Sequence, residues 1–185
     1  MAKIGVENFL YGMLTESGTT ATYGVAKKPW KAVSCNVNIS NNDAKLYADD
    51  SLAESDTSFQ SGTVSMEVDN ADITTQADLL GHTVTGNEMV RNANDVAPYV
   101  ALGRIVTKIV GVQKKYKVEF LNKVKFSEPN QENTTKGESV EFGTTTIEGI
   151  VSTLANGDWS KTQTFDSLAS AQSYLNGLFG TTPSA

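Results

Sequence analysis

Few residues in this sequence have chemistry to offer. The 185-residue chain holds one histidine, His82, and one cysteine, Cys35. His82 follows Gly81, the glycine that stops a short helical reading, where a helix dipole favours a base, so a structural role is expected of it. Cys35 keeps register with Val33 and Val37 on the apolar side of an alternating run, as a buried, inert thiol does. A zinc site or a Cys–His couple would need these two residues to meet across the fold, and nothing in their spacing brings them together. Asp49, Asp50 and Glu54 offer the oxygen ligands that calcium takes, but the stretch lacks the ligand spacing and central glycine of an EF-hand loop. No phosphate-binding glycine loop, dinucleotide fingerprint or nucleophile elbow occurs. The chain carries 21 acids, yet no pair of them is singled out by position. No catalytic residue, cofactor or metal is therefore assigned, and the chain is read as not an enzyme.

Charge is distributed unevenly. The net of −6 argues against a general nucleic-acid binder, which needs a basic surplus against phosphates. Residues 43–95 carry a net of −9, whereas residues 96–127 carry +6. Two solvated faces would explain this, and so would complementary surfaces on identical subunits that assemble head to tail. The basic stretch Arg104–Lys125 interrupts a good strand pattern with lysines, as an exposed face or edge strand does. The single cysteine precludes an internal disulfide and suits a reducing compartment. The first residues carry an early acid and no continuous apolar core, so no signal peptide is read there, and no stretch approaches a membrane span.

The elements that must position these residues are mostly strands. Residues 1–32 read as an extended arm with a short strand, ending near Pro29 and Trp30. Val33, Cys35, Val37 and Ile39 alternate with Ser34, Asn36, Asn38 and Ser40, a strand with one apolar face. Residues 41–61 form a long, acidic, Ser-rich excursion without hydrophobic period. A strict alternation over 62–69 follows, with Val64, Met66 and Val68 opposing Ser65, Glu67 and Asp69. These two strands are expected to pair antiparallel. Asp72 or Thr74 caps a short helix over 76–80, which Gly81 ends. The run 97–112 is apolar on both sides and so is covered on both. A turn at Lys114-Lys115 leads to the strand of Tyr116, Val118 and Phe120, which Val124 and Phe126 extend. Residues 128–137 read as a polar loop, followed by strand segments at 140–142 and 147–151. A last strand spans 159–165, Asp166 caps a helix over 167–179, and 180–185 form a flexible tail. The predicted architecture is mainly β, with about seven strands, a short mid-chain helix and a longer C-terminal one.

Several of these stretches are similar to a known family. KLYADDSLAESDTSFQSGTVSMEV, ADLLGHTV, DVAPYVALGRIV and FLNKVKFSEPNQENTTKGESVEFGTTTIEG resemble the major tail proteins, or tail tube proteins, of long-tailed bacteriophages of Gram-positive bacteria. The resemblance runs from about Gly5 to Thr164. Its most specific parts are Leu46-Tyr47-Ala48-Asp49-Asp50, Leu80-Gly81 and Ala97-Pro98-Tyr99-Val100-Ala101.

The resemblance implies a single domain over 1–185, a β-sandwich or barrel of the tail-tube type. Such subunits form hexameric rings whose sheets join around a lumen, and a long loop reaches the next ring. Here that loop matches residues 41–61, so Leu46, Tyr47, Asp49, Asp50, Leu52, Glu54 and Phe59 are the expected inter-ring contacts. Ordering ten loop residues costs roughly 10–20 kcal/mol of backbone entropy. About 600 Å² of newly buried apolar surface, at about 25 cal/mol per Å², offsets a cost of that order. The segment is accordingly expected to be mobile in the monomer and ordered in a tube. DNA in transit slides past a wall that does not bind phosphate, so Glu67, Asp69, Glu141 and Glu148 are the expected lumen-facing acids. Implied partners are further copies of the chain, the tape-measure protein, and distal tail and tail-terminator proteins, with viral DNA only in transit and no membrane. The implied location is the virion tail, assembled in the host cytoplasm. Two alternatives stand beside this reading: a tube subunit of a contractile or secretion-type injection machine, and a β-sandwich decoration or receptor-binding module of a virion.

Overall fold

A computed structural model describes residues 2–48, 51–69, 72–130 and 144–180. The protein is mainly β and antiparallel. Its strands are β1 (Ala2–Ser17), β2 (Thr20–Tyr23), β3 (Ala32–Asn41), β4 (Ala44–Ala48), β5 (Ser51–Asp56), β6 (Phe59–Val68), β7 (Thr83–Thr85), β8 (Glu88–Val90), β9 (Val100–Val110), β10 (Gln113–Phe126), β11 (Thr145–Val151) and β12 (Ser160–Phe165). Helix α1 (Ile73–Leu80) lies mid-chain, and α2 (Leu168–Leu178) lies near the C-terminal end. The main sheet has the order β2-β1-β9-β10-β11-β6-β3, with β12 also paired to β10, while β4-β5 and β7-β8 form separate hairpins.

The long strand β10 serves two neighbours. Tyr116–Leu121 pair with β12, and Val124–Phe126 pair with β11. Between them a register shift separates Leu121 from Val124. Asn122 sits fully buried at this bend, its N–H donating to the Trp159 carbonyl at 2.9 Å and its Oδ1 accepting from the Tyr23 hydroxyl at 3.4 Å. A bulge of this kind redirects a strand so that one sheet can cover its own face.

Two apolar cores result. In the first, Val100 and Leu102 of β9 and Leu121 and Val124 of β10 meet Val64, Met66 and Val68 of β6, Ile147 and Val151 of β11, and Leu79 and Leu80 of α1. In the second, Ala101, Ile105, Val118 and Phe120 meet Ala171 and Leu175 of α2. Strands β9 and β10 are thus covered on both faces, as the doubly apolar run at 97–112 predicts. Gly103 makes the helix contact possible, because a Cβ there would lie 2.4 Å from Leu175 Cδ1.

The sequence reading needs correction at several places. Residues 2–17 are not an extended arm with a short strand but one long strand of the main sheet, paired along β9. The 41–61 excursion is not irregular: most of it is the β4-β5 hairpin. The described residues form twelve strands rather than about seven. The hairpin turn after β9 falls at Gly111-Val112, before the lysines. Helix α1 begins at Ile73, one turn earlier than expected, with Asp72 as its N-cap. Helix α2 is capped by Ser167, not Asp166. Val33 is exposed rather than inward, because a register shift separates Ala32 from Ser34. The expected segment at 140–142, most of the polar loop at 128–137 and the tail at 181–185 lie outside the described residues.

Candidate functional site

No constellation of the described residues has the form of a catalytic centre, so the functional candidates are surfaces and edges. The first is the β4-β5 hairpin. Asn42 fixes its base: its N–H donates to the Ser58 carbonyl at 2.8 Å, and its Nδ2 donates to Ser58 Oγ at 2.9 Å and Asp56 Oδ2 at 3.3 Å. Asp56 Oδ1 in turn accepts from the Ser58 N–H at 2.9 Å. Hydrogen bonds from Ser58 and Asn42 hold the exposed Asp56 carboxyl below its ordinary range. Beyond this base, Leu46 pairs with Glu54 and Tyr47 with Leu52 along the two backbones. Neither strand pairs with any other strand among the described residues. Asp49 and Asp50, between β4 and β5 in the sequence, lie outside the described residues. Phe59 opens β6 and stacks on Trp159 of the same chain, with centroids 4.5 Å apart and planes 4° from parallel.

The second candidate is the outer face of β3, β6 and β11. Because Val64, Met66 and Val68 point inward, Thr63, Ser65 and Glu67 point out. Register places Thr146 opposite Glu67, Glu148 opposite Ser65 and Ile150 opposite Thr63. Across the other flank Ser34, Asn36 and Asn38 oppose Glu67, Ser65 and Thr63. Glu67 accepts from Thr144 Oγ1 at 2.7 Å and from Ser34 Oγ at 3.3 Å. Glu67 and Glu148 therefore share one polar face. Asp69 follows β6, exposed, its N–H donating to the Lys31 carbonyl at 3.1 Å. Glu141 lies outside the described residues. On β10 the same face ends in lysines: Lys125 opposes Ile150, and Lys123 and Lys125 sit 4.6 and 5.3 Å from the Tyr99 ring centroid. The sequence reading did not associate these lysines with the acids, since it had no register joining β10 to β11.

The third candidate is a cleft of about 240 Å³ between β3 and the β9-β10-β12 layer, lined by Cys35, Val37, Arg104, Glu119 and Trp159 among others. Arg104 pairs with Glu119 through Nη2 at 2.6 Å and Nε at 2.8 Å, and Lys117 Nζ meets the other Glu119 oxygen at 2.6 Å. Burial pushes the Glu119 carboxyl up, but Lys117 and Arg104 outweigh it and hold the group below its usual range. Cys35 is buried and its thiol is pushed up by burial, so little of it is the reactive thiolate. Every charge in this cleft has a partner within it.

His82 is not the isolated helix-end base that the sequence suggests. Its Nδ1 lies 2.7 Å from Asp95 Oδ2 and its Nε2 lies 2.8 Å from Glu128 Oε2. With both nitrogens engaged, neither is left to meet a substrate. Glu128 stands 46 positions away along the chain, a separation over which sequence spacing carries no signal. Among the described residues no helix is long and apolar enough to cross a membrane, and no group of acidic, histidine or cysteine side chains is arranged to hold a metal ion.

Comparison with known proteins adds no relative: no family model matches the chain, and no curated protein matches its sequence.

Proposed function

We propose that this chain is a self-assembling structural subunit of the tail-tube type, stacking as hexameric rings into the conduit through which a long-tailed phage delivers DNA. It acts by contact with copies of itself and not by catalysis. The observation that carries the reading is the β4-β5 hairpin. It has a fixed base at Asn42 and no third strand among the described residues. A two-stranded hairpin is marginal in water by itself and gains its stability from packing on something else. A neighbouring ring is the proposed cover.

The sheet edges support the same reading. Among the described residues strands β2 and β3 end the main sheet, and β12 pairs only with β10. Open edges are templates for another chain's strands. In the proposed tube the polar face bearing Glu67 and Glu148 looks toward the bore, with Lys123 and Lys125 at its border. The tape-measure, distal tail and tail-terminator proteins would be further partners.

Negative-stain microscopy of the concentrated protein tests the proposal. Rings and stacked filaments are expected from the full chain. A variant with residues 44–56 replaced by a short Gly-Ser linker should keep its unfolding midpoint and lose the stacks. Filaments indistinguishable from those of the full chain would overturn the role given to the hairpin. Dispersed monomers at every concentration, with tape-measure and initiator proteins present, would overturn the tube itself.

A further inference from the structure

We propose that His82 is the bolt of a proton-operated latch, which as an imidazolium ties the turn at Asp95 and the segment after β10 at Glu128 to the end of α1, and which on losing its proton releases Glu128. The geometry is that of a doubly donating ring. Two carboxylates from different segments face its two nitrogens at 2.7 and 2.8 Å, and the side chain is 7% exposed. A neutral imidazole has a single N–H, so it would turn a lone pair on one of the two carboxylates at that distance.

The backbone holds the ring in place. Gly81 and His82 both donate N–H bonds to the Ala77 carbonyl at 2.8 and 3.2 Å, ending α1. Positive charge is favoured at a helix C-terminus. Burial pulls the ring pKa down, but the bonds to Asp95 and Glu128 outweigh it, and the net shift is upward.

Which carboxylate leaves follows from their other partners. Asp95 also accepts from the Asn92 N–H at 2.9 Å and stays in its own turn. Glu128 is 45% exposed and already meets Arg91 Nε at 2.7 Å, so it has both water and a cation to turn to. Asp95, Glu128 and, through Glu128, Arg91 are the charged groups at the ring among the described residues.

A folded pKa above the free value of about 6.5 means that the latch contributes in full below that value and is lost as pH rises through the folded pKa. On the acid side the His82 bond holds Asp95 below its ordinary range. The contact then fails as pH falls through that depressed value.

The chain has a single histidine, so its ring C–H signals stand alone in a proton NMR titration of the full chain. The expected midpoint lies above about 6.5, and Glu128→Gln should lower it by about one unit. Amide exchange at 127–130, corrected for its intrinsic pH dependence, should quicken about tenfold across the midpoint. His82→Gln should remove that step. A midpoint at or below that of a free imidazole, or exchange at 127–130 that is flat through the midpoint, would overturn the latch. Both readings use the unsubstituted chain and hold even if His82→Gln does not fold.

Discussion

Arg104 Nη1 donates a hydrogen bond to the main-chain oxygen of Cys35 at 2.7 Å. This carbonyl belongs to β3, the last strand of the main sheet, which among the described residues pairs with β6 alone. The guanidinium therefore ties β3 to β9 across the cleft, while Glu119 balances its charge at 2.6 Å.

Replacing Arg104 with Met should lower the stability of the subunit by about 2 kcal/mol, because it takes one of two cations from Glu119 at a mostly covered site and leaves Lys117 alone to balance it. Arg104→Lys should recover only part of this, since one ammonium cannot span the carboxylate and the carbonyl together. Urea unfolding midpoints measure both.

Gly81 answers two demands at once. Its φ is +80°, and a Cβ there would lie 2.4 Å from the Val96 carbonyl oxygen. Gly81→Ala should therefore cost about 1–2 kcal/mol in left-handed strain and more in displacing the Val96 backbone. The neighbouring N-cap gives a calibrated contrast. Asp72 Oδ1 accepts from the Thr75 N–H at 2.9 Å, so Asp72→Ala should cost about 1 kcal/mol. Thermal or urea unfolding of the two variants should rank them in that order.

What could be read from the sequence was whatever one face of a strand or helix reports locally. The alternation at Val64, Met66 and Val68 announced β6, and Gly81 marked the end of α1, while Asp72 and Thr74 both stood as candidates for its cap. The first strand stayed hidden because register shifts between Lys3 and Gly5 and between Glu7 and Leu10 break its period, with Asn8 at a φ of +53° in the second of them. The β4-β5 hairpin stayed hidden for a different reason. An apolar period marks a strand that buries a face in its own core, and this hairpin joins no other strand among the described residues. The His82 cluster, the bend at Asn122 and the lysine border of the acidic face depend on contacts far apart in sequence, which no local pattern encodes.

Acid should weaken the fold through Glu119. Its carboxyl is held below the ordinary value, so it contributes stability above that value and loses it as pH falls through the lower folded one. The urea midpoint should therefore fall on acidification below about pH 4.5, and Glu119→Gln should flatten that part of the curve. The comparison rests on slopes, because the variant also loses its pairing with Arg104 at every pH.

The Phe59–Trp159 stack separates two roles for Phe59. A residue that serves only a neighbouring ring leaves the isolated subunit unchanged when it is truncated. One that seals its own core does not. The rings lie face to face at 4.5 Å across the start of β6 and the approach to β12, both packed against the first core. Phe59→Ala should lower monomer stability by about 2–3 kcal/mol, somewhat below the cost for a fully buried phenylalanine because Phe59 is half-buried. In a double-mutant cycle with Trp159→Ala, the coupling should be about 1 kcal/mol, the size of an aromatic pair beyond its area. Coupling near zero, with monomer stability unchanged by Phe59→Ala, would return Phe59 to the surface that meets another copy.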